Sequence, residues 1–154
     1  VGMSFVVRYP DRPEIIEPMI SFAREELEHF HQVYKLISQR QLLLPPDEED
    51  LYVNKLMKHV RFGRDERFLD RLLVSSVIEA RGCERLRLVA ESLTEGDLKH
   101  FYLRLARAEA SHQDLFTRLA GFYFTEEQIQ KRLTEWLDIE AQAIASVPYR
   151  SALH

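Results

Sequence analysis

Apolar residues recur at steps of three and four along most of the chain, which is the spacing of helix faces and not of strands. Prolines in the turn at residues 10–13 separate a short apolar opening from a first long helix, predicted over about residues 14–41. Consecutive prolines at residues 45–46 end that helix. Its apolar stripe consists of Met19, Phe22, Val33, Leu36 and Ile37.

Three more long helices are predicted after the double proline. A loop with a short helix covers about residues 47–61, and the second long helix covers about residues 65–92. The third begins after a capping sequence at residues 94–97 and ends at Gly121, and the last begins with a similar capping sequence at Thr125. Long helices joined by short turns predict an all-α antiparallel bundle.

The composition fits one compact domain over residues 1–154. The 21 Lys and Arg against 25 Asp and Glu give a net charge of −4, so only a local patch could meet nucleic acid or an acidic membrane. The single cysteine, Cys83, excludes an internal disulfide and fits a reducing compartment. Apolar runs stay below the roughly 20 residues of a membrane-spanning helix and no signal-peptide pattern is visible, so we expect a cytoplasmic protein without a membrane partner.

Charged and imidazole side chains interrupt the apolar stripes of three helices. In the first long helix Glu26 and His29 align with the stripe, and in the third Glu109 and His112 do the same. The second long helix carries one glutamate, Glu79, on its apolar face. Because three residues span about 4.5 Å along one helix face, each Glu-x-x-His pair can share a metal ion.

A metal centre would explain why these polar groups share the buried faces. Unpaired carboxylates in a bundle core would cost several kcal/mol each, and a shared cation compensates for that cost. A Glu-x-x-His pair on each of two helices and a lone Glu on each of two others is the ligand set of ferritin-like di-iron or di-manganese bundles. The sequence provides all of these but one lone Glu. Mixed imidazole and carboxylate ligands favour iron or manganese over structural zinc.

A second Glu-x-x-His pair, Glu28 and His31, overlaps the first and has the same spacing. It aligns with Ser21, Arg24 and other polar residues, on a face that we expect to be solvated. We therefore predict that this pair is exposed and binds no metal.

Glu79 also has a metal-free interpretation, in which its carboxylate pairs with an arginine such as Arg81 or Arg85. We favour the metal interpretation. Glu84 lies about 140° around the same helix, so one metal could take only one of the two carboxylates. We expect Glu84 to lie at the surface or to contact the ligands without binding the metal itself.

Three segments resemble one known family over nearly the whole chain. They are REELEHFHQV at residues 24–33, IEARGCER at residues 78–85 and EASH at residues 109–112. They resemble the MiaE family of tRNA-modifying di-iron hydroxylases. The resemblance implies a ferritin-like bundle that uses O2 and two electrons to hydroxylate the isopentenyl group of 2-methylthio-N6-isopentenyladenosine next to the tRNA anticodon.

The resemblance also implies the site. Its metal ligands would be Glu26, His29, Glu79, Glu109 and His112. The opening FVVRYPDRP at residues 5–13 resembles the end of the family's first long helix and its turn. The expected fold is therefore an all-α, ferritin-like antiparallel four-helix bundle with an extra C-terminal helix. Its first helix would be truncated, and the remaining ligand Glu would precede Val1.

The implied cofactors are two non-haem iron ions, with manganese as the alternative metal, and O2 as co-substrate. An external donor, either an electron-transfer protein or a reductase, would supply the electrons. No catalytic residue is implied beyond the metal ligands, and the implied substrate is tRNA.

A basic segment at residues 55–71 is the candidate tRNA contact, with a local net charge of +3 in a chain of −4. An ordinary solvated surface with internal ion pairs is an equally good interpretation. The cations of the segment are Lys55, Lys58, Arg61, Arg64, Arg67 and Arg71.

Two other functions fit the same pattern. A ferritin-like iron-binding or iron-storage protein would also place Glu and His inside a bundle, but it would oxidise iron without forming an organic product. A metal-free helical interaction module would contain no metal after purification. The tRNA hydroxylase is our first hypothesis.

Overall fold

The computed structural model describes residues 1–46 and 48–148, and the described residues contain helices and no strand. The predicted all-α class is therefore confirmed. The helices are α1 (Gly2–Arg8), α2 (Pro13–Gln39), α3 (Leu51–Met57), α4 (Arg64–Ser92), α5 (Asp97–Ala120) and α6 (Glu126–Ser146).

The chain divides into two compact units, Val1–Glu48 with α1 and α2 and Glu49–His154 with α3 to α6. The single domain over residues 1–154 stays a prediction.

In the first unit α1 packs against the N-terminal half of α2. The buried side chain of Phe5 lies in this unit with those of Ile15, Met19 and Phe22. A Cβ atom on Gly2 would lie 2.5 Å from the backbone oxygen of Met19, so only glycine allows this approach of the two helices. The apolar opening is thus helical, as the sequence suggested.

In the second unit α4 and α5 form an antiparallel pair that two polar contacts hold in register. Ser76 Oγ donates to the backbone oxygen of Gln113 at 2.8 Å, and Cys83 Sγ donates to that of Ala106 at 3.3 Å. The helix α6 packs on α4, and α3 contacts both α6 and α4. The largest fully buried side chains of this unit include Trp136, Phe68 and Phe116.

A buried ion cluster centred on Asp70 ties the α3–α4 loop to α6. The Asp70 side chain is fully buried and accepts from the backbone N–H of Arg61 at 2.9 Å and from its guanidinium at 2.8 and 3.0 Å. Arg132 of α6 donates to both Asp70 oxygens, at 2.7 and 3.0 Å, and to the backbone oxygen of His59 at 3.1 Å. The loop before α4 is therefore fixed from two sides.

The two predicted helix caps have different outcomes. Thr125 and Gln128 form the expected capping box at the start of α6. The cap predicted from Thr94 and Asp97 is wrong, because the residue that precedes α5 is Gly96 and no side chain caps the helix. Gly96 has a φ of +156°, which glycine adopts easily.

Candidate metal centre

The Glu109–His112 pair lies in the core of the second unit. Glu109 is 8% exposed and His112 is 3% exposed. His112 Nδ1 lies 3.1 Å from Glu109 Oε2, and the buried residues Leu105 and Phe116 lie one turn to either side on the same helix. A carboxylate and an imidazole thus point to one place in an apolar surrounding, where they can bind one cation together.

Glu79 lies level with this pair along the α4–α5 packing. Ser76 contacts the backbone of Gln113, and Cys83 contacts that of Ala106. The two helices therefore run antiparallel, and each step forward along α4 corresponds to one step back along α5. Three residues after Ser76, Glu79 is level with Ala110, the neighbour of Glu109. Its side chain is half-buried. Glu79 therefore lies at the same height as Glu109 along the paired helices.

The first unit repeats the Glu–His arrangement in α2. His29 Nδ1 lies 3.5 Å from Glu26 Oε1, and both side chains are partly buried. The aromatic Phe22, one turn before Glu26, is buried. Both pairs therefore use the same histidine nitrogen towards the carboxylate one turn earlier.

The competing pair in α2 is exposed, as its polar face predicted. The side chains of His31 and Glu28 are 54% and 57% exposed, and His31 Nδ1 lies 3.9 Å from Glu28 Oε2. Glu28 also accepts from Gln32 Nε2 at 3.1 Å. Two large apolar side chains, Leu27 and Phe30, are also exposed beside this pair.

A buried carboxylate that the sequence analysis missed is Glu140 of α6. Arg81 donates to it through Nε at 2.7 Å and through Nη2 at 3.1 Å, and Tyr52 Oη donates to it at 3.3 Å. Arg81 also pairs with Glu84, which is exposed as expected. Glu140 follows Trp136 by four residues on the α6 stripe, and that spacing is the signal that could have identified it.

This cluster alters the acidity of its tyrosine. Burial raises the pKa of Tyr52 well above its ordinary value, and the neighbouring Glu140 carboxylate raises it further. The guanidinium of Arg85 lies over the Tyr52 ring, 5.1 Å from its centroid. Tyr52 is therefore held in its neutral, hydrogen-donating form.

The basic segment is partly occupied by internal contacts. Lys55 donates to the backbone oxygen and the hydroxyl of Ser146, at 2.8 and 2.6 Å, and Arg61 belongs to the Asp70 cluster. Lys58 and Arg64 are exposed, and the guanidinium of Arg67 lies over Phe62. Arg71 is half-buried. The cations available to a partner are thus fewer than the sequence count.

Within residues 1–46 and 48–148, none of the helices combines the length and the apolar character that crossing a membrane requires.

Comparison with known proteins identifies the relatives of the chain. Residues 1–154 match the family described as tRNA-(MS2IO6A)-hydroxylase (MiaE). Two relatives are named tRNA 2-(methylsulfanyl)-N(6)-isopentenyladenosine(37) hydroxylase. The one from Pseudomonas putida is 34% identical over 130 residues, 84% of this chain and 63% of its own length. The one from Salmonella typhimurium is 34% identical over 133 residues, 86% of this chain and 48% of its own length.

A solved structure agrees in fold. It is described as protein 43 with aldehyde deformylating oxygenase activity from Synechococcus, and it is 35% identical. The TM-score is 0.91 over 97% of this chain and 74% of that one. The fold of the chain is ferritin-like. The chain spans less than two thirds of the length of either tRNA hydroxylase relative. With residues 1–154 matched throughout, the chain belongs to the MiaE family.

Proposed function

We propose that this protein is an O2-dependent di-iron monooxygenase acting on tRNA. It hydroxylates the isopentenyl group of 2-methylthio-N6-isopentenyladenosine next to the anticodon. Membership of the MiaE family and the names of the two relatives support this substrate. The structural observation that carries the proposal is the buried Glu109–His112 pair, with donor atoms 3.1 Å apart.

The donor set fits iron. We propose that the metal ligands are Glu26, His29, Glu79, Glu109 and His112. Each histidine lies one turn after a glutamate and close to its carboxylate, at 3.5 Å in α2 and 3.1 Å in α5. Carboxylate oxygens with imidazole nitrogens and without thiolates are the ligands of non-haem iron, and manganese accepts the same set.

A metal-free ion pair is the competing explanation of Glu109 and His112. A protonated histidine could satisfy the carboxylate, but the pair would then place two charges in an apolar core, where desolvation offsets much of their attraction. Bound iron would use both donors. It would also account for the repetition of the same spacing in α2.

The reaction inserts one atom of O2 into a C–H bond. The second oxygen atom leaves as water, and an external reductase or electron-transfer protein supplies two electrons, with two protons. The iron ions, when bound, supply the activation of O2 that an unactivated allylic C–H bond requires. The buried residues Leu105 and Phe116 keep water away from Glu109 and His112.

The test is a pair of measurements on the purified full chain and on matched variants. Iron per chain is determined by elemental analysis, and tRNA nucleosides are analysed by mass spectrometry after incubation with O2 and a chemical or enzymatic reductant. We expect hydroxylated prenyl-adenosine with the parent protein and none with Glu109→Ala. The exposed pair provides the control, since Glu28→Ala should keep both iron and product.

Each alternative function gives a different result. Iron oxidation without a hydroxylated nucleoside would indicate an iron-binding or storage protein. Absence of iron after purification and after anaerobic addition of Fe2+ would indicate a metal-free helical module. A Glu109→Ala variant with normal iron content and normal product would remove Glu109 from the ligand set.

A further inference from the structure

The loop between α3 and α4 carries an aromatic side chain that points into solvent. Phe62 is 89% exposed. The guanidinium carbon of Arg67 lies 5.4 Å from the centroid of the Phe62 ring, so a cation covers one face of the ring. The high exposure leaves the rest of the ring accessible. Among the described residues from 51 to 87, Phe62 is the only large apolar side chain more than half exposed.

The loop is held in place by hydrogen bonds on both sides of Phe62. On one side the backbone N–H and the guanidinium of Arg61 bind the buried carboxylate of Asp70. Arg67 Nε donates to the backbone oxygen of Arg61 at 3.3 Å, so the residue that covers the ring is itself tied to the loop. Phe62 is thus fixed in an exposed position by the Asp70 cluster and does not fold back onto the protein.

The charge around Phe62 favours an anionic partner. Lys58 precedes it by four residues and Arg64 follows it by two, and both are exposed. Asp65 and Glu66 oppose this charge, but they lie in the first turn of α4, where they interact with the helix dipole. The net charge of residues 55–71 remains +3.

We infer that Phe62 and Arg67 form a stacking platform for an unpaired nucleobase of RNA, with Lys58 and Arg64 contacting its phosphates. This inference rests on the proposed function, which requires the chain to bind the anticodon region of tRNA. A fixed aromatic ring beside guanidinium groups is how proteins hold splayed-out bases in single-stranded loops. An apolar protein partner would need a wider apolar patch than one ring surrounded by cations.

The experiment measures the affinity for a fluorescein-labelled tRNA anticodon stem–loop by fluorescence anisotropy at fixed salt concentration. Phe62→Ala should weaken binding by about 5- to 160-fold, the range found for loss of one stacked base. Phe62→Tyr should bind like the parent, because it keeps the ring. The matched control is Phe122→Ala, since Phe122 is 64% exposed at the α5–α6 turn, and this variant should bind normally.

The salt dependence separates the roles of the neighbouring cations. Lys58→Ala and Arg64→Ala should each reduce the slope of log affinity against log salt concentration by about 1, whereas Phe62→Ala should leave the slope unchanged. Thermal unfolding by circular dichroism checks that each variant is folded. If Phe62→Ala binds the stem–loop as tightly as the parent, or if Phe122→Ala loses as much affinity as Phe62→Ala, Phe62 is not a stacking platform.

The platform and the proposed function can fail separately. RNA binding that depends on Phe62, without any hydroxylated nucleoside, would contradict the function and keep the platform. Hydroxylation with the same KM and RNA affinity in the parent and in Phe62→Ala would keep the function and contradict the platform. A Phe62→Ala variant that loses only coupling to the reductase would assign this surface to a protein partner and overturn the inference.

Discussion

Arg132 and Asp70 meet in the core of the second unit through two hydrogen bonds of 2.7 and 3.0 Å. The carboxylate is fully buried, and it also binds Arg61 from the loop before α4. Burial opposes the charge of Asp70, but the hydrogen bonds from Arg132 and Arg61 outweigh it and hold the pKa of that carboxyl below its ordinary value. One side chain thus connects the loop, α4 and α6.

Removing this carboxylate should destabilise the protein strongly. Asp70→Ala leaves Arg132 without its buried partner, and we expect a loss of about 3 kcal/mol in the free energy of unfolding. Urea unfolding followed by circular dichroism measures it. The control is Glu135→Ala, because Glu135 pairs with Arg132 from an exposed position and such pairs contribute less than about 1 kcal/mol. Equal effects of the two variants would contradict the central role of Asp70.

Asp70 should also make stability depend on acid pH. Because its pKa in the folded state is below the ordinary value of 3.8, its contribution is fully present above the unfolded-state pKa. The contribution is lost as pH falls from there through the folded-state pKa. The urea midpoint of the parent protein should therefore fall between about pH 5 and pH 2 more steeply than that of Asp70→Asn. Parallel curves for the two proteins would refute this assignment.

Tyr52 should produce the opposite dependence at alkaline pH. Burial and the Glu140 carboxylate raise its pKa above the ordinary value of 10.0, so folding favours the protonated phenol. Its stabilising contribution is present below pH 10 and is lost as pH rises through the folded-state pKa. Absorbance at 295 nm should show delayed ionisation of one phenol that Tyr52→Phe removes. Glu140→Gln should shift that ionisation to lower pH.

Iron should stabilise the chain through the proposed ligands. A metal that binds only the folded state raises the melting temperature, and the rise grows with the metal concentration above its dissociation constant. Anaerobic Fe2+ should therefore raise the melting temperature of the parent protein and of Glu28→Ala, but raise that of Glu109→Ala and Glu26→Ala much less. This readout requires no substrate. A full shift in both ligand variants would show that iron binds elsewhere.

The sequence predicted the helices well because their signal is local. The sequence predicts the second long helix over residues 65–92, and it is observed over Arg64–Ser92, because its apolar spacing lies within the element and Gly63 directly precedes it. The sequence predicts a Thr94 cap for α5, but Gly96 precedes the helix with a φ of +156°, and the spacing of side chains does not specify a backbone angle. Local patterns therefore located the helices but not every cap.

The partners of charged residues were less predictable because they are distant in sequence. Arg61 is one of the cations of the basic segment, yet its guanidinium binds the buried carboxylate of Asp70. Glu140 and Arg81 are 59 positions apart, and nothing in either helix alone indicates that they meet. Within the candidate site the Glu109–His112 pair was predictable, because both residues interrupt the same apolar stripe.

The overlapping pairs of α2 have a consequence for insertions and deletions. Removing two residues between Phe22 and Glu26 would move Glu28 and His31 into the positions of Glu26 and His29. A Glu-x-x-His pair would therefore still occupy those positions after the shift in register. The apolar part of the helix would not, because Lys35 and Ser38 would replace Val33 and Leu36. The helical register of α2 is therefore set by its apolar residues, and a two-residue slip would preserve the motif while losing their packing.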